Sequence, residues 1–183
     1  GKPAYDELKG RAKTLRKAAG AADLQQEDQL PQKISELTSQ LDEKEEELER
    51  LRQKESSQRA DELAENPDTV SGVPVVVEVF DDPEDDVLNT MVDEIRQRLD
   101  TGIVLLVGRS ENNVQLVLGT TGESTEPINA GDWVRQLGSI VGGGGGGRPD
   151  YAEAGGSDPE AVPEAIDQFN EMVDEELAET ARN

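Results

Sequence analysis

The sequence has no cysteine and no histidine among its 183 residues. Without cysteine there is no disulfide, no thiolate nucleophile and no thiolate metal site. Without histidine the commonest general base and zinc ligand is missing as well. Aromatic residues are scarce: two Phe, two Tyr and one Trp make up 3% of the chain. Only 33% of residues are hydrophobic, enough for a single core from about residue 73 onward but not for one dense globule over the whole length. No run of about 20 apolar residues occurs, so no membrane-spanning helix is expected. The N-terminus does not follow a charged stretch with an apolar one, as a signal peptide does. These absences lead us to expect a cytoplasmic protein. The chain opens on Gly1, without Met and inside a helical pattern, so it reads as a piece of something longer.

Positive charge is the other shortage. Lys and Arg total 18 against 41 Asp and Glu, a formal net charge of -23 with a pI near 4.2. Such an excess repels phosphates and ordinarily argues against nucleic acid. Two explanations compete: an acidic, partly disordered protein, or a protein from a halophile's high-salt cytoplasm, where the Debye length falls to about 3 Å at 1 M salt. Regular helix and strand patterns favour the second, with carboxylates keeping the surface solvated. One segment runs against the trend. Residues 2–19 hold Lys2, Lys9, Arg11, Lys13, Arg16 and Lys17 against Asp6 and Glu7, six minus two or +4. Leu8, Ala12, Leu15 and Ala19 recur there at helical spacing. A charged helix surface is the ordinary role of such a pattern. An RNA-contact patch of Lys9, Lys13, Arg16 and Lys17 is the sharper one.

A break between Gly20 and Pro31 separates this segment from a second helical pattern. Ile34, Leu37, Leu41, Leu48 and Leu51 then share one heptad seam with Leu30, and Lys44 takes the remaining seam position. Acidic residues fill much of the outer face. The pattern predicts a helical hairpin or coiled coil over residues 1–65, paired within one chain or between two. Asn66-Pro67 and Ser71-Gly72 mark a boundary. Beyond it, Val73 to Phe80 reads as a buried strand, and Asp82-Pro83 as a helix start. An apolar helix face ends with Leu99. Ile103 to Val107 and Val114 to Leu118 read as antiparallel strands. Asp132 to Val141 reads as a helix with Trp133 more plausibly in the core than stacked on a base. A last helix starts near Val162 or Pro163, with Ile166, Phe169, Met172, Val173 and Leu177 buried. The expected class is α/β (α+β): a small mixed sheet covered by helices over residues 73–183, preceded by the hairpin.

Six consecutive glycines, Gly142, Gly143, Gly144, Gly145, Gly146 and Gly147, follow the helix that carries Trp133. Ordering glycine is unfavourable, and the run lacks the serines of a flexible linker. It is expected to form a loop, either mobile and without a ligand or with its successive N–H groups making a nest for an anion. Arg148 then adds a planar cationic fork for phosphate or carboxylate. Acidic residues cluster at Asp81, Asp82, Glu84, Asp85 and Asp86, but helix starts attract acids, and no spacing there specifies a metal site. No catalytic residue is identified.

The block from Gly142 through Arg148, Pro149, Asp150, Tyr151, Ala152, Glu153 and Ala154 to Gly155-Gly156 resembles the signature of the DHHA1 domain in its alanyl-tRNA synthetase form. Ile128 to Val134 resembles that family's approach to the glycines. Tyr151 replaces the expected Met, Leu or Phe, and Glu153 the expected Gln. The resemblance implies a C-terminal module that binds tRNA-Ala through the glycines, Arg148 and Asp150, and that helps assembly, in some members as a homodimer. ATP, magnesium and zinc would serve the parent enzyme's catalytic and editing domains, with no cofactor in this chain. Two other readings stand: the substrate-gripping DHHA1 half of a DHH-family phosphoesterase, and a purely structural dimerisation module.

Overall fold

The computed structural model describes residues 9–11, 13–14, 17, 30–84, 86–122, 125, 127–180 and 182. In the basic segment Lys9, Lys13 and Lys17 are helical and exposed, whereas Leu8, Ala12, Leu15, Arg16 and Ala19 lie outside the described residues. So does the expected break over residues 20–29. The chain divides into two compact units, residues 1–53 and 54–183.

Helix α1 (Leu30–Glu65) has Pro31 in its first turn, where a missing N–H costs nothing. In the first unit its seam is open to solvent: Ile34, Leu37, Leu41, Leu48 and Leu51 are each about half exposed. Lys44, at the polar seam position, pairs with Glu47 at 2.7 Å. The last three turns of α1, from Lys54, belong to the second unit. There Ala60 is fully buried, and Leu63 and Ala64 pack against the core. Arg59 holds Glu78, and Arg98 holds Asp61, pinning those turns from two sides. The helix stops just before Pro67, which disfavours helical geometry in the residue ahead of it.

The second unit is a mixed sheet covered by helices. Its elements are β1 (Asp68–Val70), β2 (Val73–Asp81), α2 (Val87–Arg98), β3 (Gly102–Ser110), β4 (Asn113–Thr121), α3 (Ala130–Ile140), β5 (Gly144–Gly147), β6 (Tyr151–Gly156) and α4 (Val162–Thr180). The six strands lie in the order β1-β2-β3-β4-β6-β5. β2 and β3 are parallel, joined by the α2 crossover, and every other pair is antiparallel. Ser71 and Gly72, both with positive φ, form the two-residue turn between β1 and β2.

Both faces of the central strands are buried, which explains their near-continuous apolar runs. Ile103, Leu105 and Val107 of β3, with Leu116 and Leu118 of β4, face α3 and α4. Val104, Leu106 and Val117 face α2 and the end of α1. Phe169, Val173 and Leu177 of α4 are buried as the periodicity predicts, and Ile166 and Met172 are partly so. Trp133 is 7% exposed and meets Phe169 edge-on, ring centroids 6.0 Å apart at 79°. It is therefore core and has no open face for a base.

Two local expectations are corrected. Helix α2 starts at Val87, not Pro83, because the Asp82 N–H donates to Arg109 O at 2.8 Å and prolongs the strand pairing. Asp82 and Asp86 both take left-handed φ before the chain becomes helical. The glycine segment and the residues after it form β5 and β6, not a loop. Because Phe169 fills the contact between α4 and α3, Phe169→Ala is expected to destabilise the fold by about 3–5 kcal/mol. Urea unfolding followed by Trp133 fluorescence measures this directly.

Candidate nucleic-acid interface

Of the six glycines only Gly142 has a left-handed φ, 71°. The Gly143 N–H donates to Gly138 O at 2.9 Å, which ties the run to the end of α3. Gly144 to Gly147 then pair antiparallel with β6, in register from Gly144 opposite Gly155 to Gly147 opposite Ala152. The Arg148 N–H donates to Tyr151 O at 2.8 Å and closes the hairpin around Pro149 and Asp150. The expected nest is thus replaced by an edge strand built of bare backbone.

Close packing explains much of the glycine content. α3 lies along β5. A Cβ at Gly131 would sit 2.8 Å from Gly147 O, and one at Gly138 would sit 3.1 Å from the Gly144 carbonyl carbon. The start of α3 is fixed by Asn129, whose side chain accepts from the Asp132 N–H, and by the Ala130 N–H donating to Pro149 O at 2.8 Å. On the other side, a Cβ at Gly143, Gly145 or Gly147 would meet β6 or the residues next to it, at 1.9 Å from Gly155 O, 2.3 Å from Glu153 O and 2.5 Å from Ala152 Cα. A Cβ at Gly144 would meet nothing within 4 Å, and one at Gly146 only Arg135 Nη2 at 3.9 Å. In a regular strand successive side chains point to opposite sheet faces. Here they would alternate between pointing into β6 and pointing away from it.

Cations border this edge. Arg148 is 72% exposed, and its Nε lies 3.3 Å from Asp150. Asp150 also accepts from Arg96 Nη2 at 3.2 Å, so its carboxylate faces two guanidinium groups. Arg135 was not evident from the sequence motif. Its Nη1 donates to Asp132 at 2.7 Å, and its Nη2 lies toward Gly146. The signal was present: Gly131, Arg135 and Gly138 fall at i, i+4 and i+7, one face of α3. Lys9, Lys13 and Lys17 belong to the first unit, and the glycine strand, Arg148 and Asp150 to the second.

Residues 72–178 match the DHHA1 domain family. The chain belongs to the DHHA1 family. It is 35% identical over 173 residues to alanine–tRNA ligase of Oceanobacillus iheyensis and 29% identical over 178 residues to alanine–tRNA ligase of Alkaliphilus oremlandii. The alignments cover 94% and 97% of this chain but only 20% of each relative. Among solved structures it is similar to the C-Ala domain from Aquifex aeolicus alanyl-tRNA synthetase. That match has a TM-score of 0.56 and 30% identity, and covers 60% of this chain and 98% of that one.

A second concavity in the DHHA1 domain differs in character. Asp86, Asn113, Val114, Gln115 and Gly155 line an open cleft of about 440 Å³. That lining supplies one carboxylate and no cation, so the glycine edge suits an anion better. The two unusual DHHA1 positions have partners within the fold. Glu153 accepts from Asn89 Nδ2 at 2.9 Å, and Asn89 Oδ1 accepts from Gln115 at 3.0 Å. Tyr151 lies 5.9 Å from the Arg96 guanidinium, measured from the ring centre. Burial first, then the Glu153 and Asp93 carboxylates, push the Tyr151 phenol above its ordinary 10.0. The folded state therefore holds this proton more tightly than the unfolded chain. The associated stability is complete below pH 10 and is lost as pH rises past it. Tyr151→Phe is expected to flatten that alkaline loss, read from urea midpoints between pH 8 and about 11.

Proposed function

We propose that this chain is the C-terminal tRNA-binding and assembly part of an alanyl-tRNA synthetase. The observation that carries the reading is the bare glycine edge, bordered by Arg148, within a DHHA1 domain similar over nearly the full length of a C-Ala domain. The mechanism is positional. Contact with the body of tRNA-Ala raises the effective concentration of its acceptor end at the catalytic and editing domains of the parent enzyme. Gly142 to Gly147, Arg148 and Asp150 form one arm of the contact; Lys9, Lys13, Arg16 and Lys17 form the other. ATP, magnesium and zinc act in the other domains.

The net charge of -23 is reconciled with RNA by local cations working in a high-salt cytoplasm, where repulsion from distant carboxylates is screened. No helix among the described residues is long and apolar enough to cross a membrane. The half-exposed seam of Ile34, Leu37, Leu41, Leu48 and Leu51 supports the assembly role, as the stripe through which two copies pair.

Binding of the chain to tRNA-Ala transcript across a salt series tests the tRNA reading. Binding is expected to prefer tRNA-Ala over an unrelated tRNA. Arg148→Ala is expected to lower the salt slope by about one, and a Lys13, Arg16 and Lys17 triple alanine variant to lower it further. No detectable binding at any salt concentration in the series would overturn it. For assembly, sedimentation equilibrium of Leu37→Glu and Leu41→Glu is expected to show monomer where the parent chain shows dimer. A monomeric parent chain would refute pairing through the seam.

A further inference from the structure

The glycine run contains more glycine than its own packing requires. Gly142 needs its residue type for its left-handed φ, 71°. Gly143, Gly145 and Gly147 need it because a Cβ would lie 2.5 Å or less from Gly155 O, Glu153 O or Ala152 Cα. Gly144 and Gly146 need it for neither reason. Neither has a positive φ, and a Cβ at either would meet nothing closer than 3.9 Å. An L-residue fits both places. Glycine inside a strand also loses more conformational entropy on folding than alanine does, because its unfolded chain is freer. So the fold gains nothing from these two glycines.

At both positions a Cβ would stand clear of β6. The side-chain atom nearest a Cβ at Gly146 would be Arg135 Nη2, at 3.9 Å. Arg135 Nη1 donates to Asp132 at 2.7 Å in an exposed pair, and its remaining donors are left for another acceptor. Asp132 is in turn set by the Asn129 cap at the start of α3. Arg148 directly follows the strand, 72% exposed. The edge therefore offers backbone with no side chain in the way, with one guanidinium beside Gly146 and a second one after Gly147. Planar guanidinium forks match phosphate geometry. Missing side chains matter for a ligand that must lie flat against the backbone, as a ribose–phosphate strand does.

We infer that Gly144 and Gly146 with Arg135 form the surface against which an RNA sugar–phosphate strand lies, while Gly143, Gly145 and Gly147 serve the fold. This rests on the tRNA-binding reading and divides the glycine run into two jobs. Arg135 is a contact residue in addition to Arg148, placed there by the Gly131 and Gly138 face of α3.

The test uses the full chain and tRNA-Ala transcript. A Gly144→Ala/Gly146→Ala double variant is expected to fold, with a thermal midpoint equal to or above that of the parent chain. Its tRNA affinity is expected to fall about tenfold or more, the loss of one charge-assisted hydrogen bond. Arg135→Ala is expected to reduce the salt slope by about one. Gly145→Ala, by contrast, is expected to lose cooperative unfolding. If the parent chain binds and Arg148→Ala weakens it, but the double variant and Arg135→Ala bind like the parent, the inference is overturned and the tRNA reading stands. A double variant that fails to fold also overturns it, because these glycines would then be structural. If the parent chain does not bind, both fall.

Discussion

The close approach of three pieces of backbone, at α3, β5 and β6, is the constraint on which the rest of this domain depends. It exists because side chains are missing on two of the three, the helix and β5. Gly131 and Gly138 remove them from the helix, and alternate glycines remove them from the strand. Alanine at several of these places would drive a Cβ inside 3 Å of backbone, where no rotamer change relieves it. Once α3 is seated, its buried residues Trp133, Val134 and Leu137 meet α4 and the sheet. The same seating places Arg135 beside the strand and brings the Pro149 carbonyl to the Ala130 N–H. Packing and site are thus consequences of one contact.

The poverty of aromatic residues shapes the remainder. Valine, leucine and isoleucine on both faces of β3 and β4 fill the core, with Trp133 and Phe169 meeting on one side and Phe80 and Tyr151 packed at the edge of the other. Helices on both sides satisfy the apolar requirement of a doubly buried sheet. The turns of α1 from Lys54 are held to one face by the buried Ala60 and by two arginine–carboxylate pairs from different elements. Such pairs add little when exposed. The apolar contact of Ala60, Leu63 and Ala64 is the more substantial attachment.

Much of this fold was legible in the sequence, and the illegible parts have a common cause. Long apolar elements with a clear period, such as β3, β4 and α4, were visible because burial imposes the period. The antiparallel pairing of β3 with β4 and the mixed sheet followed from the same apolar runs. β5 was not, since a strand of glycines has no side chains to alternate and low intrinsic strand preference. β6, with two alanines and two glycines, gave almost as weak a signal. The start of α2 was misplaced because Asp82-Pro83 satisfies the local rules for a helix start, while tertiary pairing with Arg109 decides otherwise. In the site, Arg148 stood out by adjacency to the glycines. Arg135 required knowing that Gly131 and Gly138 face β5, which local pattern alone does not reveal.

An excess of carboxylates and a patch for RNA are compatible only if cations and bare backbone are concentrated where the RNA lies. The most direct measurement is a titration of ¹⁵N-labelled chain with tRNA-Ala, following the backbone amides of residues 142–148 and 150 and the Arg135 side chain by NMR. The account predicts shifts concentrated at Gly144 to Arg148 and at Arg135, with Asn113 and Gln115 at the acidic cleft unmoved. Bound tRNA with the glycine-strand amides and Arg135 unchanged would contradict it.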